Sequence, residues 1–421
     1  MNNRKQIPFS KEQLEQIATA HPTPFHLYDE KAIRENARAF YRAFSWVSGF
    51  KNYFAIKACP NPTILKLLKE EGMGADCSSL TELLLAEKVG FRGEEIIFSS
   101  NNTPGSEFAE AARLGAVINL DDISHIETLE QSAGIPELIS FRYNPGEARF
   151  SNAIIGSPRE AKYGLTRDQI VDAFRIVKGK GARRFSLHTM IVSNELDEDC
   201  FADTARLLFE LAVKIRGKTG IRIESINLGG GIGIPYLPEE KAVNFDRLSA
   251  KIAALYRKII VPASLDPTGV VFECGRMITG PYGYLVSRVR HVVSKYKQYV
   301  GLDSSMADLM RPGMYGAYHH ITVPGKEEQP HDRIYDVTGS LCENVDKFAI
   351  DRPLPEIEPG DLLVIHDTGA HGYAMGYNYN GKLRSAELLL REDGTAQLIR
   401  RAETVDDYFS TMRFPGAPVK L

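Results

Sequence analysis

The stretch KNYFAIKACPNPTILKLLKEEGMGADCSSLTELLLAEKVGFRGEEIIFSS (51–100) carries the pattern that decides the fold. Three short apolar runs alternate in it with two segments whose apolar residues recur at intervals of three or four. The runs lie at 51–56, 73–77 and 95–99, and the helical segments lie at 62–71 and 80–89. Strands that alternate with helices in this way predict a parallel sheet.

The alternation continues as far as residue 274. Further apolar runs lie at 116–120, 138–143, 185–190, 222–228 and 270–274, with helical patterns at 105–114, 167–177 and 201–215. Eight strands that alternate with helices predict a closed, TIM-like (β/α)8 barrel in the α/β class. A doubly wound open sheet is the rival interpretation of the same pattern.

The pattern changes after Gly275. Strand-like segments lie at 284–293, 296–302, 334–338, 361–366, 386–390 and 396–400, with turn signals at Pro359-Gly360 and Asp393-Gly394 between them. We therefore expect a second, β-rich domain of the sandwich or barrel type. The predicted division is a barrel over 26–270 and a β-rich domain formed by 1–25 together with 271–421.

The composition of the 421 residues excludes several classes of protein. A net charge of −3 argues against a nucleic-acid-binding or membrane-surface protein. There is no apolar stretch of about 18 residues, and the N-terminus lacks the apolar core of a signal peptide. The five cysteines are scattered without a CxxC pair, which predicts reduced thiols in the cytoplasm and no zinc site.

In a barrel of this class the active site lies at the carboxyl ends of the strands. Reading these ends along the chain gives Lys57, Asp76, 99–101, 142–144, His188, 229–231 and 273–276. Polar residues that are capable of chemistry thus occupy strand ends around the whole ring, which predicts an enzyme.

Four of these features allow two interpretations. Lys57 is either a strand-end lysine with a hydrated ammonium group or a desolvated lysine with a lowered pKa, able to form a Schiff base. Residues 228–233, LGGGIG, fail the GxGxxG pattern and form either a phosphate-binding nest or a tight turn. Glu273 and Arg276 form an ion pair or bind two points of one ligand. Cys342 is either inert packing or a catalyst.

Seven segments, taken in order, resemble the fold-type III pyridoxal-phosphate-dependent decarboxylases, and among them the diaminopimelate decarboxylases. They are YFAIKA (53–58), GADCSSLTEL (74–83), INLGGGIG (226–233), FECGR (272–276), RPGMYGAYHH (311–320), GSLCENVDKFA (339–349) and DTGAHGYAMGYNYN (367–380). The resemblance covers nearly the whole chain. It implies an alanine-racemase-like architecture, pyridoxal 5'-phosphate as cofactor and a homodimer with shared active sites.

The resemblance also implies roles for single residues. Lys57 would form the Schiff base with the cofactor, His188 would stack on its ring, and Glu273 would face the pyridine nitrogen and keep it protonated. The other implied cofactor contacts are Asp76, Gly229, Gly230, Gly231, Gly275, Arg276 and His371.

The implied substrate contacts lie mostly in the β-rich domain. Arg276, Arg311 and Tyr315 would bind the distal carboxylate of the substrate, for which guanidinium groups offer forked donors. Glu343 would bind the distal ammonium group. Cys342 would reach in from the partner subunit and protonate the product.

The chain departs from the family pattern at two places. His371 stands where the family usually has the tyrosine of Gly-Ala-Tyr, and we expect His371, with Tyr373 two residues on, to retain binding with altered tuning. The family reads His-x-Gly-Ser after the stacking histidine, whereas this chain reads HTMIVS (188–193). Since this loop shapes the substrate pocket, the substrate is the least certain part of the assignment.

The expected activity is that of a carboxy-lyase that converts meso-2,6-diaminopimelate to L-lysine and carbon dioxide, the last step of lysine biosynthesis. The alternative is a decarboxylase of another basic amino acid or of a carboxypolyamine, of the D-ornithine/lysine or carboxynorspermidine type. Arg311 argues against substrates without a distal carboxylate, because it would lack an anionic partner. Racemases of this fold place an arginine where Glu273 stands. A non-catalytic homologue would be expected to lose Lys57 or Cys342.

Overall fold

The computed structural model describes residues 5–146 and 159–415 and divides the chain into two compact units. The barrel unit comprises Ala32–Pro235 and Glu240–Thr279. The β unit comprises Met1–Lys31, Tyr236–Glu239 and Gly280–Leu421, and its description begins at Lys5 and ends at residue 415.

Helices and strands are numbered in chain order. Within the described residues the helices are α1 Lys11–Ala20, α2 Glu30–Ala43, α3 Pro62–Glu70, α4 Leu80–Val89, α5 Gly105–Arg113, α6 His125–Ala133, α7 Gln169–Gly179, α8 Glu198–Thr219, α9 Phe245–Ile259, α10 Arg276–Thr279, α11 Arg311–Tyr315 and α12 Val405–Phe409. The strands are β1 Phe25–Asp29, β2 Lys51–Ala55, β3 Gly74–Cys77, β4 Ile96–Ser99, β5 Val117–Leu120, β6 Leu138–Arg142, β7 Arg184–His188, β8 Ser225–Asn227, β9 Gly269–Phe272, β10 Gly283–Ser294, β11 Gln298–Leu302, β12 Ile321–Thr322, β13 Arg333–Thr338, β14 Lys347–Leu354, β15 Leu362–Ile365, β16 Ala386–Leu390 and β17 Ala396–Arg400.

Strands β2 to β9 form a closed parallel barrel in chain order. The ring closes where β2 pairs with β9, with Lys51 opposite Val271. All eight strands predicted before residue 275 are present, so the barrel is confirmed and the open-sheet alternative is wrong. The strands are short and almost fully buried because helices cover the outside and side chains fill the inside.

Local sequence signals set the helix ends of the barrel unit. In α4 the Ser79 hydroxyl accepts a hydrogen bond from the Glu82 amide, and the helix ends at Gly90 with φ +100°. These are the residue types that satisfy the open donors and acceptors at helix ends. Helix α2 packs on the barrel through an aromatic cluster in which Phe40 and Phe44 contact Phe50 and Phe272.

The β unit contains a nine-stranded mixed sheet among the described residues, with the path β14-β13-β11-β10-β1-β16-β17. Strand β15 pairs with β10 and with β12 beside this path. The six strand segments predicted after residue 275 are confirmed. A β-rich second unit is thus present as expected.

Three strands of the β unit were not predicted from the sequence. Strand β1 pairs with β10 and β16 in the middle of the sheet, although its position precedes the barrel in the chain. Strand β12 has only two residues. Strand β14 carries Pro353 and has register irregularities against β13, so its alternation is broken; a proline is tolerated there because the path of the sheet ends at β14. None of the described helices is long and apolar enough to cross a membrane.

Candidate active site

Lys57 lies directly after β2, on the 3-10 turn Ile56–Ala58. Its neighbours Ile56 and Ala58 are buried, whereas the Lys57 side chain is exposed. The exposure favours the interpretation of Lys57 as a strand-end lysine with a hydrated ammonium group over the desolvated alternative. The charge of Lys57 lowers the pKa of both Asp76 and Glu273, so Lys57 lies near the two buried carboxyl groups of the barrel end.

His188 and Glu273 lie together at the ends of β7 and β9. The Nε2 atom of His188 is 3.2 Å from Oε2 of Glu273, and both side chains are buried. The Asn227 amide donates a hydrogen bond of 2.7 Å to the other carboxylate oxygen. Although burial raises the pKa of Glu273, the imidazole and this hydrogen bond outweigh it and lower that pKa to about 2. Glu273 is thus an anion at neutral pH.

Asp76 is the second carboxyl group of this cluster. Burial, followed by repulsion from Glu273, raises the pKa of Asp76 well above its usual range. Its Oδ1 atom has no hydrogen-bond partner anywhere in residues 5–146 and 159–415. The two neighbouring carboxyl groups therefore differ, because their surroundings lower the pKa of Glu273 and raise that of Asp76.

The glycine segment after β8 packs tightly against its neighbours. Gly231 has φ +93°, and a Cβ atom there would lie 2.2 Å from the Val192 carbonyl oxygen. At Gly230 a Cβ atom would lie 2.6 Å from the Glu273 carbonyl oxygen. Only glycine permits such approaches, so the backbone is pressed directly against the ends of the neighbouring strands. At the end of β9, Gly275 is buried, and Arg276 begins α10 half-buried.

The loop after His188 is the partner of this glycine segment. The Thr189 hydroxyl donates to the Tyr143 carbonyl at 2.7 Å, and the Gly230 amide lies 3.2 Å from the Met190 sulfur. The departure from the family pattern at 189–193 thus falls on residues that contact the predicted phosphate-binding segment.

Arg311 and Tyr315 lie on the short helix α11 of the β unit. The Arg311 guanidinium is 4.8 Å from the centre of the Tyr236 ring, and its Nε atom is 3.4 Å from Nε2 of His319. Arg311 also lowers the pKa of Asp367 electrostatically, although burial, the largest effect, raises that pKa to about 6. The ion-pair partner of Asp367 is Lys5, whose effect on this pKa is larger than that of Arg311. Tyr315 is 64% exposed.

Cys342 and Glu343 lie on the loop between β13 and β14. Cys342 is exposed, and its amide donates to the Asn380 side chain at 2.6 Å. Asp346 holds the loop, since its carboxylate accepts hydrogen bonds from the amides of Leu341 and Met306 at 2.8 and 2.7 Å. The loop thus presents Cys342 on a fixed backbone.

Helix α11 and this loop are neighbours. A Cβ atom at Gly313 would lie 2.5 Å from the Val345 carbonyl oxygen. The structure therefore brings Arg311 and Tyr315 to the same region of the β unit as Cys342 and Glu343.

His371 follows β15, in a left-handed backbone conformation with φ +55°. Tyr373 does not stand beside it as a replacement for the family tyrosine. Its ring is buried between Arg384 and Arg400, at 3.9 and 4.9 Å from their guanidinium carbons. The expectation that Tyr373 supports His371 is therefore wrong, because Tyr373 is engaged in the packing of the β unit.

Two site residues were missed by the sequence reasoning, namely Asn119 on β5 and Asn227 on β8. Asn227 contacts Glu273, and the Asn119 amide nitrogen lies 2.9 Å from Nδ1 of His188. A usable signal existed, because both are polar residues inside apolar strand runs, and a buried amide needs partners. The sequence does not say which strands put such residues side by side.

Comparison with known proteins identifies the barrel. Residues 30–280 match the family model described as pyridoxal-dependent decarboxylase, pyridoxal binding domain. The chain is 45% identical over 406 residues to Protein TabA of Pseudomonas amygdali pv. tabaci, covering 96% of this chain and 95% of that one. It is 35% identical over 409 residues to diaminopimelate decarboxylase of Methanothermobacter thermautotrophicus, with coverage of 96% and 95%. The crystal structure of diaminopimelate decarboxylase from M. jannaschii in co-complex with L-lysine superposes with a TM-score of 0.88 at 29% identity, covering 95% of this chain and 94% of that chain.

The residues at the barrel ends fit pyridoxal 5'-phosphate, the cofactor of this family. Glu273 is a buried anion that matches a protonated pyridine nitrogen, and Asp76 offers a buried oxygen that lacks a partner among the described residues. The close-packed glycines expose backbone where a phosphate group binds. The sequence match, the closed barrel and this set of groups agree, and the chain belongs to the family of pyridoxal-dependent decarboxylases that includes the diaminopimelate decarboxylases.

Proposed function

We propose that the chain decarboxylates meso-2,6-diaminopimelate to L-lysine and carbon dioxide with pyridoxal 5'-phosphate as cofactor. The observation that carries the proposal is the buried, ionised Glu273 between Asn227 and His188 at the barrel end. A fixed anion there suits a cofactor whose pyridine nitrogen must stay protonated. The relative from M. jannaschii, which is named a diaminopimelate decarboxylase and was crystallised with L-lysine, supports the choice of substrate.

In this proposal the barrel unit holds the cofactor. Lys57 binds its aldehyde, His188 covers its ring, and Glu273 holds its pyridine nitrogen. Its phosphate is held by Gly229, Gly230, Gly231, Gly275 and Arg276. The bound cofactor supplies an electron sink for the electron pair that remains when carbon dioxide leaves.

The residues around Glu273 lower its pKa and so favour the carboxylate that the pyridine nitrogen of the cofactor needs. The Asn227 amide donates to Oε1, and the Asn227 side-chain oxygen accepts from the Gly229 amide at 2.9 Å. Asn227 thereby links the carboxylate to the glycine segment, so both ends of the cofactor would be held by one connected set of hydrogen bonds. Burial, followed by repulsion from Glu273, raises the pKa of Asp76, which disfavours a second negative charge beside Glu273.

The β unit supplies the residues that bind the far end of the substrate. Arg276 of the barrel unit, Arg311 and Tyr315 bind the distal carboxylate, and Glu343 binds the distal ammonium group. His371 takes the place of the family tyrosine at the cofactor and the substrate. The guanidinium of Arg311 is set for this role by the Tyr236 ring and by His319.

Two copies of the chain form the working enzyme in this proposal. Cys342 of one copy delivers a proton to the product in the site of the other, and Glu343 serves that same site. The exposure of Cys342 on its rigid loop suits this task. All five cysteines are free, in keeping with an enzyme of the reducing cytoplasm.

The rival proposal is a decarboxylase that acts on another basic amino acid or on a carboxypolyamine. Two observations favour keeping it. The name of the relative with 45% identity, Protein TabA, states no activity, and the changed loop 189–193 contacts the glycine segment.

The deciding experiment is a product-release assay on the purified protein loaded with pyridoxal phosphate. Meso-diaminopimelate is compared with its D,D- and L,L-isomers, with D-ornithine and D-lysine, and with carboxynorspermidine, and both carbon dioxide and the amine product are measured. We expect lysine from the meso isomer with the highest kcat/KM. A higher kcat/KM for D-ornithine or carboxynorspermidine would replace the substrate assignment and leave the reaction type intact.

Arg311→Ala tests the distal contact directly. We expect KM for meso-diaminopimelate to rise at least about tenfold, equivalent to about 1.4 kcal/mol, because a charge-assisted contact is lost. The absorbance of the bound cofactor should not change. The control is Arg333→Ala, since Arg333 is an exposed arginine on β13 of the same unit. An unchanged KM for Arg311→Ala would remove the main physical support for a substrate with two carboxylates.

A further inference from the structure

A buried set of hydrogen bonds surrounds Asn119, which lies on β5 inside the barrel. Its Nδ2 atom is 2.9 Å from Nδ1 of His188 and 2.9 Å from the Ser99 hydroxyl. Its Oδ1 atom accepts a hydrogen bond of 2.8 Å from the Ser140 hydroxyl. The amide thus uses both hydrogens and its oxygen, with partners on the three strands β4, β6 and β7.

The partners of Asn119 decide which way its amide points. The Ser140 hydroxyl is buried, and its hydrogen needs an acceptor. Asn119 Oδ1 provides that acceptor, whereas an amide turned by 180° would present hydrogens to this hydroxyl and leave it without one. Ser99 is only half-buried and accepts from Nδ2 in the same arrangement. The NH2 group therefore faces His188.

The contact at Nδ1 decides which ring nitrogen of His188 offers a lone pair. An NH2 group can only donate, so Nδ1 must accept the hydrogen bond from Asn119. On the other side of the ring, Nε2 lies 3.2 Å from Oε2 of Glu273 but makes no hydrogen bond of good geometry within the described residues. The Asn119 amide therefore selects the form of the ring whose hydrogen lies on Nε2.

We propose that Asn119 is a positioning residue that fixes the orientation of the His188 ring and keeps its Nδ1 atom free of a proton. The amide does so by donating to Nδ1 from a site where Ser140 and Ser99 hold it in place. The charged group in direct contact with His188 is Glu273. Asp76 and Lys57 are the next titratable groups, and both interact electrostatically with Glu273. The kinetic consequence of this inference rests on the proposed function, whereas the proton position does not.

The consequence is an imidazole of fixed orientation beside the cofactor site, because a ring whose Nδ1 atom accepts from Asn119 cannot turn over without losing that hydrogen bond. Asn119→Asp reverses the preference with almost no change of shape, because a carboxylate at the same place accepts a hydrogen and favours a proton on Nδ1.

The test is 15N NMR of histidine-labelled protein loaded with the cofactor and without substrate, with the His188 signals assigned by their loss in His188→Gln. We expect the chemical shift of an unprotonated nitrogen at Nδ1 and of a protonated nitrogen at Nε2. In Asn119→Asp the Nδ1 signal should move to the protonated position. The control Ser186→Ala should leave both signals unchanged, because the Ser186 hydroxyl bonds to Ser225 and not to His188.

Measurement of kcat and KM is the second test. With the substrate found by the release assay, kcat of Asn119→Asp should fall at least about tenfold while KM changes by less than about twofold. A protonated Nδ1 in the parent protein would overturn the inference even if the variant fails to fold. So would an unprotonated Nδ1 in a folded Asn119→Asp protein. Neither result depends on turnover of diaminopimelate, so failure of this inference and failure of the proposed function are separate outcomes.

Discussion

Replacing Glu273 with glutamine removes the one fixed anion at the end of the barrel and keeps the shape of the side chain. The glutamine oxygen can still accept a hydrogen bond from Asn227. Its NH2 group would face Nε2 of His188, where Glu273 now places a carboxylate oxygen. Glu273→Gln therefore resembles a permanently protonated Glu273. Its effect should fall on turnover far more than on cofactor binding, because the phosphate is proposed to be held elsewhere.

The size of the effect follows from the surroundings of Glu273. A folded-state pKa of about 2, against the usual 4.5, means that ionisation of Glu273 stabilises the fold above pH 4.5, and that this stability is lost as the pH falls toward 2. At neutral pH the contribution is about 3 kcal/mol, and Glu273→Gln gives up that amount at most. For catalysis, exchanging a charge-assisted hydrogen bond for a neutral one loses about 1.5–3 kcal/mol, which is about tenfold to a hundredfold in kcat.

The assay combines kcat from lysine release, the dissociation constant of pyridoxal phosphate from absorbance titration, and the melting temperature. The matched control is Glu198→Gln, since Glu198 is a buried carboxylate of the same unit that pairs with Arg247 at the start of α8. The control should lose stability and keep its kcat. If Glu273→Gln kept kcat within about twofold of the parent, the electrostatic role of Glu273 would be refuted.

Three further outcomes are expected. Borohydride should fix the cofactor on Lys57 in a peptide identified by mass spectrometry, and Lys51→Ala, at the other end of β2, should leave that labelling intact; labelling of a different lysine would contradict the assignment. Mixing inactive Lys57→Ala with inactive Cys342→Ala protein should restore up to about a quarter of the activity, because half of randomly paired dimers are mixed and each has one intact site; no recovery after proven subunit exchange would mean that each site is built within one chain. Burial lowers the pKa of His26 to about 4, so the neutral ring stabilises the fold above pH 6.5. About 3 kcal/mol of the free energy of unfolding is lost as the pH falls from 6.5 to 4. In His26→Gln the melting temperature should depend less on pH over this range, whereas His291→Gln, at an exposed histidine, should keep the pH dependence of the parent.

The barrel could be predicted from the sequence because its signal is local and repeated. Each strand of the stretch 51–100 is a short apolar run, and each helix follows with its own cap, such as Ser79 and Gly90 around α4. The count of eight such units favoured a closed ring over an open sheet, and the pairing of β2 with β9 decided between them. Polar residues at the strand ends, such as His188 and Glu273, follow from the position of those ends.

The β unit was harder, because its order depends on partners that are distant in the chain. Strand β1 is buried between β10 and β16, which follow it by more than 250 residues, and nothing within Phe25–Asp29 names those partners. Strand β14 could not be predicted because Pro353 and a register shift against β13 interrupt its alternation. The sequence left the exposure of Lys57 open and did not predict the burial of Tyr373, since burial depends on residues that are distant in the chain.

The charge state of the barrel end shows why the residue types alone do not fix the chemistry. Asp76 and Glu273 are both buried carboxyl groups, and burial raises the pKa of each. Glu273 alone accepts a hydrogen bond from Asn227 and lies beside His188, so its pKa is lowered, whereas burial, followed by repulsion from Glu273, raises the pKa of Asp76. Two amides that a motif search passes over contribute to this site, because Asn227 donates to the carboxylate and Asn119 contacts the imidazole. The strand ends identify the catalytic residue types in this chain, and the uncharged residues between them shift their pKa values and hold their side chains.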